Sequence, residues 1–219
     1  MKTALVAGAT GATGSALVNT LLSDAHYDEV HILSRRTTHW RANDKVVEHI
    51  LPLSRIADLK SKQPITDIYC CLGTTLKRAG SQQAFRDVDL EAVLALGRWA
   101  AANGVEAMHV ISSIGADPSS RSFYLRTKGE MEQSLSTLGL PSLYLYRPSV
   151  LTGERDERRL IEGLGAKLAH AMRWLPGSER WQPVPVSRLA QAMASYGRDP
   201  QSGRHRIGSE QILSKRPGE

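Results

Sequence analysis

The stretch TALVAGATGATG, residues 3–14, decides the fold, because it joins an apolar run to three regularly spaced glycines. An apolar run that ends in glycine is typical of a strand buried on both faces, and Thr3–Ala7 shows this pattern. The next residues, Ser15–Leu22, have the composition of a helix. A glycine turn between a buried strand and a helix places backbone N–H groups and the helix N-terminus where they can hold phosphate. The sequence therefore predicts a phosphate-binding loop directly after the first strand.

The three glycines of this loop have separate predicted roles. Gly8 permits the sharp turn off the strand, Gly11 lets a pyrophosphate approach the backbone, and Gly14 lets the helix pack closely on the sheet. The predicted cofactor contacts in this loop are Gly8, Thr10, Gly11, Ala12, Thr13 and Gly14. The alternative is a turn that only packs, and the strand before it and the helix after it favour a dinucleotide-binding loop.

Strand and helix patterns alternate along most of the chain. The predicted strands are Thr3–Ala7, Glu29–Leu33, Lys45–Leu51, Thr66–Leu72, Ala107–Ser113 and Pro141–Tyr146. Besides the helix at Ser15–Leu22, helical patterns lie at Asp89–Ala102 and Ser122–Leu138. This alternation predicts an α/β fold, a doubly wound parallel sheet (Rossmann fold) with helices on both faces.

After the sixth predicted strand, the regular alternation of strand and helix patterns ends. Helical patterns occur near Arg158–Trp174 and at Ser187–Gly197, and Pro183–Val186 could form one more strand. A chain of 219 residues fits one large domain. We therefore predict a single NAD(P)-binding domain over residues 1–219, in which residues 150–219 form a small C-terminal region packed on the substrate side.

Charge and hydropathy argue against two classes of partner. The formal charge is +6, but the basic residues are spread along the chain, and the densest charged stretch, residues 154–159, mixes both signs. Mixed signs are typical of a solvated helix face, so we expect no nucleic-acid partner. No apolar run of ~18 residues occurs, so we expect no membrane span.

The cysteines and histidines predict neither a disulfide framework nor a metal centre. The two cysteines are adjacent, at Cys70 and Cys71, and the seven histidines are scattered without ligand spacing. Unpaired cysteines are typical of a reducing compartment, so we expect a cytoplasmic protein in which both act as small apolar side chains.

The residues after the second predicted strand indicate which dinucleotide the fold binds. NAD-binding folds place an acidic residue there, about 20 residues after the glycine loop, on the ribose 2′-hydroxyl. This chain has Ser34, Arg35 and Arg36 instead. A guanidinium forms bidentate, charge-assisted hydrogen bonds to a phosphate, so these residues predict NADP(H) as the cofactor. The alternative is a solvated arginine pair in a loop.

The stretch FYLRTKGEME, residues 123–132, places Tyr124 four positions before Lys128. On a helix both residues share a stripe with Met131, Leu135 and Leu138, so Lys128 is predicted to point inward. A buried lysine needs a partner. Residues four apart on a helix are neighbours, and an ammonium stabilises a phenolate, so the pair fits a proton donor and its activator. The alternative is a tyrosine at the edge of the core and a lysine that reaches solvent.

Two serines, Ser112 and Ser113, end the fifth predicted strand. The carboxyl ends of parallel strands are where such sheets build their sites, and a serine there can hydrogen-bond a substrate carbonyl. With Tyr124 and Lys128 this completes a set suited to hydride transfer, because the alkoxide that forms needs a proton. The predicted catalytic residues are Ser113, Tyr124 and Lys128.

These motifs resemble the extended and atypical short-chain dehydrogenase/reductases, which include NAD(P)-dependent epimerase/dehydratase-like proteins, and most specifically the Tat-interacting-protein oxidoreductase branch. The matching stretches are GATGATG (8–14), SRR (34–36), CCLGTTLKRAG (70–80), SSIGADPSSRSFYLRTKGEME (112–132) and YRPSVLTG (146–153). The resemblance implies NADP(H) binding and an active site with Tyr124, Lys128 and Ser113 or Ser112. It adds these implied cofactor contacts: Leu72, Gly73, Thr74, Ser112, Tyr124, Lys128, Pro148 and Val150.

Together these features predict an NADP(H)-dependent oxidoreductase for a carbonyl or alcohol, or a related epimerase-type enzyme. The alternative is a non-catalytic NADPH sensor that binds a protein partner. The expected substrate is a small molecule, and an anionic one would suit the basic residues of segments that could line the cleft. These are Lys77, Arg78, Arg121, Arg155 and Arg180.

Overall fold

A parallel sheet of seven strands forms the centre of the computed structural model, which describes residues 2–153 and 178–215. In chain order the strands are β1 (Thr3–Ala7), β2 (Glu29–Ser34), β3 (Val46–Ile50), β4 (Asp67–Cys70), β5 (Ala107–Ile111), β6 (Ser142–Arg147), β7 (Leu151–Thr152), β8 (Val184–Pro185) and β9 (Gly203–Gly208). The order in the main sheet is β3-β2-β1-β4-β5-β6-β9, and every neighbouring pair is parallel. The strands β7 and β8 pair with each other in a separate two-stranded sheet.

Helices cover both faces of this sheet. Those described are α1 (Ala12–Leu22), α2 (Leu76–Ala79), α3 (Gln82–Arg86), α4 (Ala92–Ala102), α5 (Phe123–Leu135), α6 (Val186–Arg198) and α7 (Ser209–Ser214). Side chains of α1 and α6, such as Leu17 and Leu189, share one core with one face of the sheet. Side chains of α4 and α5, such as Leu96 and Leu135, form a second core on the other face. The predicted doubly wound α/β fold is therefore confirmed.

The region after residue 150 contributes to the main sheet in a way that the sequence did not indicate. The strand β9 extends the sheet at one edge, although its sequence GRHRIG lacks an apolar alternation. An edge strand is commonly charged, because charge discourages pairing with another chain, and this removes the usual strand signal. The helix predicted at Ser187–Gly197 is confirmed by α6, whereas the helix predicted near Arg158–Trp174 lies outside the described residues.

The position of β1 creates the crevice in which sheets of this type bind ligands. The chain builds β1, β2 and β3 outward in one direction and then continues with β4 on the other side of β1. The connections that leave β1 and β4 therefore diverge to opposite faces at the carboxyl edge of the sheet. Among the helices that the structure describes, none is long and apolar enough to cross a membrane.

A row of stacked rings lies under α6 and crosses adjacent strands of the sheet. Tyr69, His109 and Tyr144 are register partners on β4, β5 and β6, and their ring centroids are 4.6 and 4.8 Å apart. The Tyr69 hydroxyl lies 2.7 Å from that of Tyr27, so it is fixed by both stacking and a hydrogen bond. Gly197 of α6 packs against these two hydroxyls, and a Cβ at this position would overlap the Tyr69 oxygen. The close approach of α6 therefore depends on a glycine.

The replacement Gly197→Ala is expected to lower the free energy of unfolding by about 1–3 kcal/mol, because the new methyl group meets fixed phenol oxygens. Gly97→Ala on α4 is the matched control, since its Cβ would overlap only the ends of the Leu135 and Leu138 side chains, which can move. Both changes place alanine in a helix, so the gain in helix propensity cancels between them. Urea denaturation of both variants measures the difference, and equal losses would contradict the role of Gly197.

Candidate active site

A cleft of about 640 Å³ opens where the chain connections diverge above β1 and β4. The glycine loop, Gly8 to Gly11, forms its floor. One wall follows β2 and β3 and consists of Leu33, Ser34, Arg35, Arg36, Thr37 and Leu53. The opposite wall follows β4 and consists of Cys71, Leu72, Gly73, Thr74, Arg78, Ala79, Ala84 and Val88. The cleft thus brings together three separately predicted segments: the glycine loop, residues 34–36 and residues 72–74.

Two of the glycines are required by the geometry of the loop. Gly8 has φ +85°, and a Cβ there would lie 2.6 Å from the Cys71 carbonyl carbon. A Cβ at Gly14 would overlap the Gly8 carbonyl oxygen, so Gly14 lets α1 approach the backbone of the turn, whereas the sequence had predicted close packing on the sheet. Gly14 and Thr13 are buried, and neither they nor Ala12 lines the cleft. Helix α1 has no side-chain cap and no acidic residue in its first turn, which leaves N–H groups for an anion.

The wall beside β2 carries the predicted phosphate-binding residues. Arg35 and Arg36 are exposed, and Ser34 Oγ donates a hydrogen bond to the Arg36 carbonyl oxygen at 2.6 Å. Within residues 2–153 and 178–215, neither arginine has an ion pair, and no aspartate or glutamate lines the cleft. This wall therefore has the charge that a phosphate requires.

Lys128 points inward, as the helical stripe predicted, and its side chain is 5% exposed. Its Nζ lies 2.8 Å from Asp89 Oδ1 and donates to the Ile111 carbonyl oxygen at 3.3 Å. Burial opposes the charge on the ammonium, but the Asp89 carboxylate and Tyr124 outweigh it and raise the pKa of Lys128. Lys128 is therefore held as an ammonium at a fixed position.

Asp89 is a residue of the site that the sequence did not indicate. It is 1% exposed and lies in a π-helical turn, Asp87–Glu91, between α3 and α4. Its Oδ2 accepts a hydrogen bond from the Thr74 N–H at 2.8 Å, while Oδ1 pairs with Lys128. One carboxylate therefore joins the wall of the cleft to the predicted catalytic helix. The available signal was a carboxylate on the buried face of a predicted helix, the same kind of anomaly that identified Lys128.

Tyr124 lies on the first turn of α5, one turn before Lys128, and is 38% exposed. Its ring packs edge-on against Phe85, with centroids 5.9 Å apart. The contact with Phe85 orients the Tyr124 ring, and the exposed part of the side chain remains accessible to solvent.

The two serines at the end of β5 have different environments. The Ser112 hydroxyl donates to Glu132, whose carboxylate also binds the guanidinium of Arg147. Among the residues that the structure describes, the Ser113 hydroxyl makes one hydrogen bond, a long one of 3.3 Å to the Ile114 carbonyl oxygen. Ser113 therefore has the hydroxyl that is free to bind another group, whereas the hydroxyl of Ser112 is committed to an ion pair.

The segment after β6 is tied to the same region. The Pro148 carbonyl accepts a hydrogen bond from the Ile114 N–H at 3.0 Å, and the Val150 carbonyl accepts one from Val184 at 2.8 Å. Pro148 and Val150 thus lie between the serine loop and the small β7–β8 sheet. Their predicted contact with nicotinamide stays a prediction.

The cysteines of β4 and the loop after it show no redox feature. Both are free, and burial raises the pKa of Cys70 to about 11 and that of Cys71 further. A thiol with a raised pKa is a poor nucleophile at neutral pH. Among the described residues, no group of three His, Cys, Asp or Glu side chains is arranged to hold a metal ion.

The parallel strand order, the glycine turn at the switch point and the buried lysine beside an accessible tyrosine define a Rossmann protein of the short-chain dehydrogenase/reductase type. Residues 4–125 match the NAD dependent epimerase/dehydratase family, and the chain belongs to this family.

Two curated relatives support this assignment. The chain is 32% identical to the protein FMP52, mitochondrial, of Coccidioides immitis, over 97% of this chain and 92% of that protein. It is 32% identical to the protein HTATIP2 of Rattus norvegicus, over 92% of this chain and 84% of that protein. The resemblance to the Tat-interacting-protein branch is therefore confirmed.

A solved structure shows the same fold at low sequence identity. The structure of MoeE5 in complex with UDP-glucose and NAD superimposes with a TM-score of 0.67 and 20% identity, and the match covers 94% of this chain and 75% of that one. At this identity the similarity shows the fold.

The relatives also correct the expected location. Those from Coccidioides immitis, Candida albicans and Candida glabrata are named as mitochondrial proteins, which contradicts the expectation of a cytoplasmic protein. That expectation rested on unpaired cysteines, which indicate a reducing environment but do not single out the cytoplasm.

Replacing Asp89 by alanine is expected to lower the free energy of unfolding by about 3–5 kcal/mol, because the Lys128 ammonium would stay buried without its carboxylate. The double variant Asp89→Ala, Lys128→Met should recover most of this loss, since no buried charge remains. Urea denaturation at neutral pH measures the free energy of unfolding of the single and the double variant. Asp87→Ala removes an exposed carboxylate from the same turn and is expected to cost about 0.5 kcal/mol or less. A double variant as unstable as Asp89→Ala alone would contradict the pairing.

Proposed function

We propose that this chain is an NADP(H)-dependent oxidoreductase that interconverts a carbonyl and an alcohol on a small-molecule substrate. The observation that carries the proposal is the ion pair between Lys128 and Asp89, which fixes a buried ammonium one turn from an accessible Tyr124. Family membership supports the oxidoreductase class. A buried charged pair that is hydrogen-bonded to the wall of a cleft is typical of functional sites, and this supports the catalytic interpretation.

The residues of the cleft fit a dinucleotide. Gly8 and the uncapped start of α1 leave backbone N–H groups for a pyrophosphate. Arg35 and Arg36 present guanidinium groups for a 2′-phosphate, and the cleft has no carboxylate among the described residues to repel it. The nicotinamide would supply or accept the hydride.

The predicted catalytic residues have complementary roles. Ser113, whose hydroxyl is available at the end of β5, would orient the substrate carbonyl. Tyr124 would transfer the proton to or from the alcohol oxygen, and Lys128 would stabilise the phenolate. Asp89 keeps Lys128 in place and also binds the backbone of Thr74 in the wall of the cleft.

We propose that the substrate binds on the side of the β7–β8 sheet. The β7–β8 sheet begins next to Pro148, which is hydrogen-bonded to the serine loop. A substrate carbonyl near Ser113 and Tyr124 would therefore lie against this region. Of the basic residues considered for an anionic substrate, Arg78 lines the cofactor cleft and Arg155 lies outside the described residues.

Cofactor preference is tested by the double variant Arg35→Ala, Arg36→Ala. We expect the Kd for NADPH to rise about 100-fold, because two charge-assisted interactions are lost, and the Kd for NADH to change less than about threefold. Titration of nucleotide fluorescence measures both constants. The control Arg98→Ala removes an exposed arginine from α4 and should change neither the Kd for NADPH nor the Kd for NADH. An equal loss for the two nucleotides would contradict the phosphate assignment.

Proton transfer is tested by Tyr124→Phe in a screen of aldehydes and ketones with NADPH. For any substrate that the native protein turns over, kcat should fall by about 100-fold or more, because general acid catalysis is lost. The Kd for NADPH should stay within about twofold. Tyr196→Phe, on the opposite face of the sheet, is the control for removal of a phenol oxygen. Unchanged turnover in Tyr124→Phe would overturn the proposed proton transfer, whereas a native chain that binds NADPH but turns over none of the carbonyls would favour the sensor interpretation.

A further inference from the structure

The wall of the cleft opposite Arg35 and Arg36 carries a third arginine, Arg78. It lies in α2, a single helical turn that is capped by Thr75 at its start and by Gly80 at its end. The Thr75 hydroxyl accepts a hydrogen bond from the Arg78 N–H at 3.2 Å, and Gly80 ends the turn in the left-handed conformation. Both ends of the turn are therefore fixed, and the base of the Arg78 side chain is held at the cleft.

Arg78 has no protein partner that would explain its position. Its side chain is exposed and makes no ion pair or hydrogen bond with the residues that the structure describes. Nearby arginines differ in this respect, since Arg55 pairs with Asp58 and Arg86 pairs with Glu130. The two arginines that share this unpaired state and the same cleft are Arg35 and Arg36.

The pyrophosphate and the 2′-phosphate of a dinucleotide would bind to different groups in this cleft. The pyrophosphate lies over the glycine loop in folds of this type, where backbone N–H groups and the end of α1 serve it without side-chain cations. A 2′-phosphate adds about two negative charges, which guanidinium groups can bind through bidentate, charge-assisted hydrogen bonds. Three guanidinium groups on two facing walls can surround this phosphate, whereas two on one wall leave one side open to water.

We propose that Arg78 binds the 2′-phosphate of the cofactor from the wall opposite Arg35 and Arg36, so that the three guanidinium groups select 2′-phosphorylated adenine nucleotides. This inference rests on the proposed function, because it assigns a further specificity residue to the same cofactor. It also changes the interpretation of Arg78, which the sequence alone had placed among residues for an anionic substrate.

The test compares two probes that differ only in the 2′-phosphate, adenosine 2′,5′-bisphosphate and adenosine 5′-monophosphate. Isothermal titration calorimetry measures the Kd of each probe for the native chain, Arg78→Gln, Arg78→Lys and Lys77→Gln.

Arg78→Gln should raise the Kd for the bisphosphate about tenfold and leave the Kd for the monophosphate within about twofold. Arg78→Lys keeps the charge without the planar fork, so its loss should be intermediate. Lys77→Gln removes an exposed cation from the same turn that does not line the cleft, and should have no effect.

Each other outcome has a distinct meaning. An equal loss of affinity for both probes in Arg78→Gln would overturn the assignment and place Arg78 at a part of the nucleotide that the two probes share. No loss for either probe would overturn it as well and leave Arg78 as a solvated side chain, while Arg35 and Arg36 could still select the cofactor. If the native chain bound both probes equally, the NADP(H) preference of the proposed function would itself fail, and the role of Arg78 would fail with it. Equal unfolding temperatures for the variants exclude a general loss of structure.

Discussion

The buried ion pair between Lys128 and Asp89 is the constraint on which the rest of the site depends. Two charges removed from water cost several kcal/mol each unless geometry and further hydrogen bonds compensate, so such a pair fixes its surroundings closely. Here the compensating hydrogen bonds come from the ends of two strands. The Ile111 carbonyl at the end of β5 accepts from the ammonium, and the Thr74 N–H after β4 donates to the carboxylate. The ends of two neighbouring strands and helix α5 are therefore held in one arrangement.

This arrangement also explains the irregular helix between α3 and α4. A regular α-helix would repeat the same side-chain direction every 3.6 residues, whereas the π-helical turn at Asp87–Glu91 adds a residue and rotates the next turn of the helix. Leu90 and Val93 still pack in the core, while Asp89 reaches the lysine. The distortion places one polar group at an apolar interface, which is the situation in which such turns commonly occur at functional sites.

The parts of the molecule that the sequence predicted well are those decided within a few residues. The strand, glycine turn and helix at residues 3–22 need only local spacing, and the inward direction of Lys128 follows from its own helix. Local spacing does not predict contacts between segments that are distant in sequence. Asp89 and Lys128 are far apart in sequence, the choice between Ser112 and Ser113 depends on Glu132, and β9 joins the sheet with a charged sequence. These features depend on neighbours that only the folded chain supplies.

The two faces of the sheet differ in what they contain: stacked aromatic rings lie under α6, and the proposed catalytic residues lie on the side of α5. Under α6 the polar atoms of Tyr27 and Tyr69 pair with each other, and the stacked rings of His109 and Tyr144 continue the row, so this face closes without a ligand. Burial lowers the pKa of His109 to about 3, so this ring stays neutral and introduces no charge near the core at neutral pH. The face under α5 contains the Lys128–Asp89 pair. Because β5 contributes alternate residues to both faces, the rigid aromatic side fixes the strand whose end carries Ser113. The aromatic face thus helps to fix the position of Ser113 from the opposite side of the sheet.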